Sequence, residues 1–402
     1  MNNRLFFWSL TSALAGFLFG FDTVVISGAE QTIQSLWGLS PGLHGVAMAA
    51  ALYGTVLGSL AGGWPTDRFG RRATLLWIGI LYLVGSLGSA FASNVGFFIF
   101  ARVIGGVGIG ISTVAAPLYI SEISPPKYRG RLAGMFQFNI VFGIPESPRW
   151  LLVRKGDRQK GIEVLRQIEP QASASEIENR ADEITATASE KISSGHFWTR
   201  RLRVPILLAF LIAFFNQLSG INAILYFAPR IFELTGLGEK AAFLQSIGIG
   251  VTNLIFTFVG LSLIDRLGRR TLLYIGSFGY IASLGMVAWA FFTQHYSIVP
   301  VCIFAFIAAH AVGQGAVIWV FISEIFPNRH RAEGQTLGCS THWVFAALLT
   351  SFFPAMVTKC PPGYVFSFFC GMMVLQLIWV KTMVPETKGV SLEQMQKQLG
   401  IE

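Results

Sequence analysis

The chain has 402 residues, of which 53% are hydrophobic and only 13% charged, against about 25% charged in soluble globular proteins. Apolar runs of about 20 residues recur from end to end, which excludes a soluble domain; their continuity also excludes the short alternating strands of a membrane barrel. The net charge of +9 sits mostly in short loops between these runs, where Lys and Arg orient a membrane protein, so nucleic acid is not the expected partner.

In chain order, the sequence predicts helical spans at about 5–27, 45–64, 73–92, 95–121, 204–232, 244–264, 271–292, 298–326, 334–356 and 364–383. Met1 to Arg4 carry no cleavable signal, so the first span is expected to insert and stay. Basic loops at 67–72, 127–131, 265–270 and 329–331 follow the second, fourth, sixth and eighth spans. That places these loops and both termini on the cytoplasmic side. Gly105, Gly106, Gly108 and Gly110 lie inside the fourth span with no strand before them, so the run is read as helix packing through Gly106 and Gly110 rather than as a dinucleotide loop. Cys302, Cys339, Cys360 and Cys370 lack metal-ligand spacing and read as buried thiols. No nucleophile–base set, metal cluster or phosphate loop indicates an enzyme or a cofactor.

The stretch 145–203 is polar. It holds one amphipathic segment around 156–168 and another beginning near Ser173, where Ser173 and Glu176 form a capping box and Ile177, Ala181 and Ile184 share a face. The domain reading is an N-terminal bundle over 1–144, a cytoplasmic helical linker over 145–203, and a six-helix C-terminal bundle over 204–402 with a short cytoplasmic tail.

Two copies of one basic hexapeptide define an internal repeat. Asp67-Arg68-Phe69-Gly70-Arg71-Arg72 returns as Asp265-Arg266-Leu267-Gly268-Arg269-Arg270, 198 positions later. Ser121-Glu122 with Arg129 likewise matches Ser323-Glu324 with Arg331. The first half then reaches Pro145-Glu146-Ser147, whereas the second reaches Pro385-Glu386-Thr387 about 38 residues later than the repeat requires. The remaining segment, 132–144, is too short to span, so the first half lacks its sixth helix and most of its fifth.

These hexapeptides, with Pro145-Glu146-Ser147-Pro148-Arg149, Gln217-Leu218-Ser219-Gly220-Ile221-Asn222 and Pro385-Glu386-Thr387-Lys388-Gly389, resemble the sugar porter family of the major facilitator superfamily. The resemblance runs from Phe19 to Gly389. It implies an all-α polytopic fold of two pseudo-repeated bundles, with about ten full spans here instead of twelve, and transport of a hexose or pentose by alternating access. The expected setting is a monomer in the plasma or inner membrane. Proton symport is the first reading; a facilitative uniporter, or a sugar-sensing or transport-defective protein, remain alternatives.

A conformational latch is expected from Asp67, Arg68, Arg71, Glu122, Arg129, Glu146, Arg149, Asp265, Arg266, Arg269, Glu324, Arg331 and Glu386, with the two Asp residues pairing to neighbouring spans. The alternative is that the basic residues serve topology alone. An acid inside an apolar run is costly unless it works, so Asp22 with Arg102 is the proton-coupling pair, or else a structural ion pair. Proton-coupled members of the family carry an Asp at the first place, although bacterial symporters also carry an acid on the sixth span missing here. For the sugar, the resemblance implies contacts from Gln137, Gln217, Asn222 and Trp319. Asn216, Tyr226, Asn253, His342 and Trp343 add amides and aromatic faces suited to hydroxyls and a pyranose ring. The competing reading of the amides is hydrogen bonding between helices. The family often carries Gln where this chain has Asn216, and commonly a polar amide where this chain has His342.

Overall fold

The computed structural model describes residues 22–23, 25–123, 146–189, 196–327, 330–390 and 392–401. Among them every regular element is helical, and nine helices are long and apolar enough to cross a membrane. They match the second to tenth predicted spans; most of the first, and Arg129 and Gln137, lie outside the described residues. Contacts divide the chain into two compact units, one taking in Tyr53–Phe197 and the other Asp22–Leu52 with Trp198–Glu402.

Helix α1 covers 25–36 and α2 covers Pro41–Ala61; α2 passes from the second unit into the first. The first unit continues through α3 (Gly63–Phe69), α4 (Arg71–Ala90) and α5 (Val95–Ile123). A Cβ placed on Gly110 of α5 would stand 2.2 Å from the Thr55 carbonyl of α2. The small-residue run therefore serves close helix contact, as its setting in an apolar helix indicates.

The polar stretch folds as α6 (Arg158–Ile168) and α7 (Ala174–Ser189). Asp157 accepts from Lys160 N at 3.2 Å and caps α6. At α7 the reciprocal box is formed: Ser173 N donates to Glu176 at 2.7 Å and Glu176 N to the Ser173 hydroxyl at 3.3 Å. These donors hold the Asp157 and Glu176 carboxyls below the usual carboxylate range. The apolar faces of the two helices close over Leu152, with Leu165, Ile177 and Ala181 buried and Ile184 against them.

In the second unit the predicted span 204–232 is three pieces, α8 (Arg203–Leu218), α9 (Ile221–Tyr226) and α10 (Ala228–Glu233). The first break is Gly220, at φ +84°, where an added Cβ would meet the Phe369 ring at 2.7 Å; a left-handed residue this crowded must be glycine. The second break follows from Pro229, which starts α10 and cannot continue a hydrogen-bonded turn from α9. The unit continues as α11 (Glu239–Leu267), α12 (Arg269–Thr293), α13 (Val299–His310), a π-helical turn at Ala311–Gly315, α14 (Ala316–Ile325), α15 (Arg331–Lys359), α16 (Pro362–Met383) and α17 (Leu392–Gln398). Cys302 and Cys339 are buried as expected, but Cys360 is exposed because it ends α15 and Cys370 is only partly covered.

Replacing Ile177 by Ala should empty the linker core at a cost of about 2–5 kcal/mol. Faster hydrogen exchange at the amides of α6 and α7 than in wild type is the expected reading; unchanged protection would mean that this core does not hold the linker.

Candidate functional site

The two basic turns share one construction. Gly70 and Gly268 both stand at φ +91°, and in each case a Cβ would fall 2.5 Å from a carboxylate oxygen, of Glu146 and Glu386 respectively. The glycine leaves room for that carboxylate to reach the first amides of the helix that follows. Glu146 accepts from Arg71 N at 2.9 Å and Arg72 N at 3.1 Å; Glu386 accepts from Arg269 N at 2.9 Å and Arg270 N at 3.0 Å. Helix N-termini present unsatisfied N–H groups and a partial positive charge, so an anion there satisfies both.

The side chains extend the turns. Arg269 grips Glu324 through Nε at 3.0 Å and Nη2 at 2.7 Å, a bidentate fork, and Thr387 donates to the same carboxylate at 2.6 Å. In the other unit Trp150 Nε1 donates to the Asp67 carbonyl at 2.8 Å. Asp67 lies 3.4 Å from Arg71, the first residue of α4, and Asp265 lies 3.2 Å from Arg269, the first residue of α12, so each Asp pairs across its turn with the start of the next helix. Glu146 and Glu386 reach the same turns from segments distant in sequence. Arg68 stacks over Trp64, the Arg266 carbonyl accepts from Lys388 Nζ at 2.6 Å, Arg149 lies half-buried on the turn Pro148–Trp150, and Arg331 begins α15. The side chain of Glu122 lies outside the described residues.

The break at Gly220 brings the predicted amides together. Asn222 Nδ2 donates to Gln217 Oε1 at 2.7 Å, and Gln217 Nε2 donates to Asn216 Oδ1 at 2.9 Å. The His342 ring from α15 lies within 3.2 Å of the same Gln217 nitrogen. The Trp319 ring from α14 is centred 5.2 Å from His342, and Trp343 packs edge-on at 4.6 Å. Tyr226 is buried one turn beyond Asn222. Asn253 of α11 is half-buried. Asp22 opens the second unit, and Arg102 is buried in α5 of the first.

Known proteins carry the same pattern. The family described as "Sugar (and other) transporter" matches residues 8–145 and 144–399. The chain belongs to this family of sugar transporters. It is 31% identical to the arabinose-proton symporter of Bacillus subtilis (strain 168), covering 97% of this chain and 94% of that one. It is 30% identical to the D-xylose-proton symporter of Escherichia coli (strain K12), covering 98% and 96%. Among solved structures, a major facilitator proton:xylose symporter bound to 6-bromo-6-deoxy-D-glucose superposes with a TM-score of 0.84 at 28% identity, over 99% of this chain and 100% of that one. An inward-open form of the E. coli xylose transporter gives 0.82 at 28% identity, over 98% and 99%. The chain is therefore a multi-pass membrane transporter of the major facilitator fold, and not an enzyme. The alignment to the arabinose-proton symporter runs over 436 positions, more than this chain contains, so the relative carries residues that are missing here.

Within this sugar transporter the amide cluster extends further than the sequence analysis saw. Asn216 Nδ2 donates to Gln314 Oε1 at 3.3 Å, Gln314 Nε2 to Gln376 Oε1 at 2.8 Å, and Gln376 Nε2 to Ser277 Oγ at 2.8 Å. Ser277 in turn donates to the Leu273 carbonyl at 2.8 Å. Gln314 and Gln376 are single amides in apolar runs, the same signal that marked Gln217. The π-helical turn that carries Gln314 gave no sequence signal.

Burial pushes the Glu146 carboxyl above the usual carboxylate range, partly offset by the N–H groups of Ser147, Arg72 and Arg71. A carboxyl raised in the folded state favours folding at low pH, and that contribution is lost as pH rises through the raised value. Glu146→Gln should flatten this component of the pH profile of the unfolding midpoint, whereas Glu146→Ala should lower stability by about 1–3 kcal/mol at every pH through loss of the amide acceptors. Identical profiles for wild type and Glu146→Gln would contradict the assignment.

Proposed function

We propose that this chain carries a monosaccharide together with a proton by alternating access, with the sugar held against α8, α9, α14 and α15. The observation that carries the reading is the buried set Asn216, Gln217 and Asn222 facing His342 and the half-buried Trp319. Sugar hydroxyls both donate and accept, and amides match them in either sense; an indole face suits the apolar side of the ring. Relatives named for arabinose, xylose and galactose, each as a proton symporter, support a hexose or pentose and a coupling proton.

Asp22 is the proton carrier in this reading, an acid within an apolar run where a charge is costly unless it works, with Arg102 as the second residue of the coupling pair. The basic turns lie at the cytoplasmic face, as do both termini. Glu146 and Glu386 there act as the fixed points of a latch whose movable contacts include the Arg269–Glu324 fork. The protein works as a monomer, with its many exposed Leu, Ile, Val and Phe side chains against lipid.

A second reading follows from the shortened first half: the chain binds sugar without carrying it. Counterflow of labelled monosaccharide in proteoliposomes separates the two, since only a transporting chain exchanges label. With transport present, Gln217→Ala should raise KM about threefold to tenfold, the worth of one neutral hydrogen bond, and unchanged KM would remove Gln217 from the site. Asp22→Asn should abolish accumulation against a gradient while exchange continues; undiminished accumulation would end its coupling role.

A further inference from the structure

Helix α1 carries a buried polar stripe that the sequence analysis did not single out. Thr23, Ser27, Glu30 and Gln34 recur at helical spacing, and Thr23, Ser27 and Glu30 are buried. Glu30 is 0% exposed, as is His44 one turn into α2. His44 Nε2 lies 3.0 Å from Glu30 Oε2 and 3.1 Å from the Glu30 carbonyl. Arg230 of α10 approaches Glu30 Oε1 with Nε at 3.4 Å and also donates to the side-chain oxygen Oε1 of Gln34. Glu233, one turn from Arg230, accepts from Gln31 Nε2 at 2.8 Å. All of these residues belong to the second unit.

Two features set this cluster apart from a structural ion pair. The first is incomplete satisfaction. Both Glu30 carboxylate oxygens, His44 Nδ1, Glu233 Oε1 and the Ser27 hydroxyl are buried and lack hydrogen-bond geometry among the described residues. A carboxylate with ion-pair contact but no full hydrogen bond is an expensive thing to bury. The second is charge. The charged or titratable groups that face one another are Glu30 and His44, with Arg230 and Glu233 from α10. Two carboxylates stand against one guanidinium, so with His44 neutral the cluster holds one negative charge in excess. A single added proton neutralises it, and the Phe227 ring packs edge-on against His44 at 5.9 Å.

We propose that Glu30 and His44 together form a second proton-binding site, which loads the coupling proton and delivers it along α1 to Asp22, with Arg230 as the fixed counter-charge. The proposal rests on the symport reading of Asp22. At a helical rise of about 1.5 Å per residue, the eight positions from Asp22 to Glu30 would correspond to roughly 12 Å, too far for direct transfer. Ser27 stands between them in the sequence, and its buried hydroxyl is the relay group of the proposal, working through water. The proton belongs to the pair as a unit: it sits between a carboxylate oxygen and the imidazole, and no covalent bond other than O–H or N–H forms or breaks. Arg230 lies at the end of the α8–α10 segment remote from Arg203, hence on the side opposite the basic turns, where an inward-directed proton gradient supplies protons.

The full chain, reconstituted in liposomes, tests this with Glu30→Gln and His44→Gln. Both should lose proton-driven accumulation of labelled xylose, so that the internal level falls to the external one, while counterflow stays within about twofold of wild type. Accumulation at the wild-type level would overturn the proposal, and loss of counterflow together with accumulation would reduce the pair to a structural role. A separate measurement does not depend on transport: proton uptake by the purified protein in detergent on acidification from about pH 8 to 5, the range in which imidazole–carboxylate pairs titrate. Glu30→Gln should bind about one proton fewer per chain than wild type, with Asp22 intact. Equal uptake overturns the proposal whatever the transport result. A wild-type protein that exchanges sugar but never accumulates it would instead overturn symport.

Discussion

A carboxylate seated on the first two amides of a membrane helix occurs twice in this chain, and the arrangement of both units follows from it. A helix that begins at the edge of a membrane exposes N–H groups that lipid cannot satisfy. Glu146 and Glu386 supply the acceptors, each from a segment remote in sequence. Because hydrogen bonds to a charged acceptor are worth about 1.5–3 kcal/mol each, each glutamate pins a later segment of its unit to a turn made 75 or 117 residues earlier. Glycine at φ +91° is the condition that lets the carboxylate in. The equivalence of the two turns gives a transporter two matched fixed points, about which other contacts can open and close.

The same requirement governs the interior of the second unit. A polar side chain among apolar helices is tolerated when its donors and acceptors are matched. The chain from Asn222 through Gln217, Asn216, Gln314 and Gln376 to Ser277 does this in one direction, each member accepting from the one before and donating to the next. It ends on the Leu273 carbonyl. A directional chain fixes the orientation of every amide in it, so Gln217 is held with its oxygen toward Asn222 and its nitrogen toward His342. In the proposed site, a sugar hydroxyl entering between them would find donor and acceptor already set, which lowers the ordering cost of binding. The Glu30–His44 cluster is the opposite case, left short of hydrogen-bond partners among the described residues.

Much of this was legible in the residues because hydropathy and turn chemistry are local properties. The basic hexapeptides marked the turns, and their spacing exposed the shortened first half. The Ser173–Glu176 box and the Ile177–Ala181 face located α7 to within a residue. The amides Asn216, Gln217 and Asn222 stood out as polar groups in an apolar run. Less legible was the partner of each charge. The hexapeptides carry Asp67 with Arg71 and Asp265 with Arg269, but nothing local in them says that Glu146 and Glu386 come from distant segments onto the same turns.

Sequence alone determined the membrane class, nine of the spans, the repeat and the family, because each depends on which residue types follow one another along the chain. Tertiary structure decided which carboxylate meets which helix end, how Gln314 and Gln376 extend the amide chain, and that Glu30, His44 and Arg230 share one buried site. Those contacts join segments up to about 200 residues apart, and no local pattern encodes them. Only the packing of α1, α2 and α10 brings two acids, one base and one imidazole to within a few ångströms, where charge balance becomes a property of the site rather than of its residues.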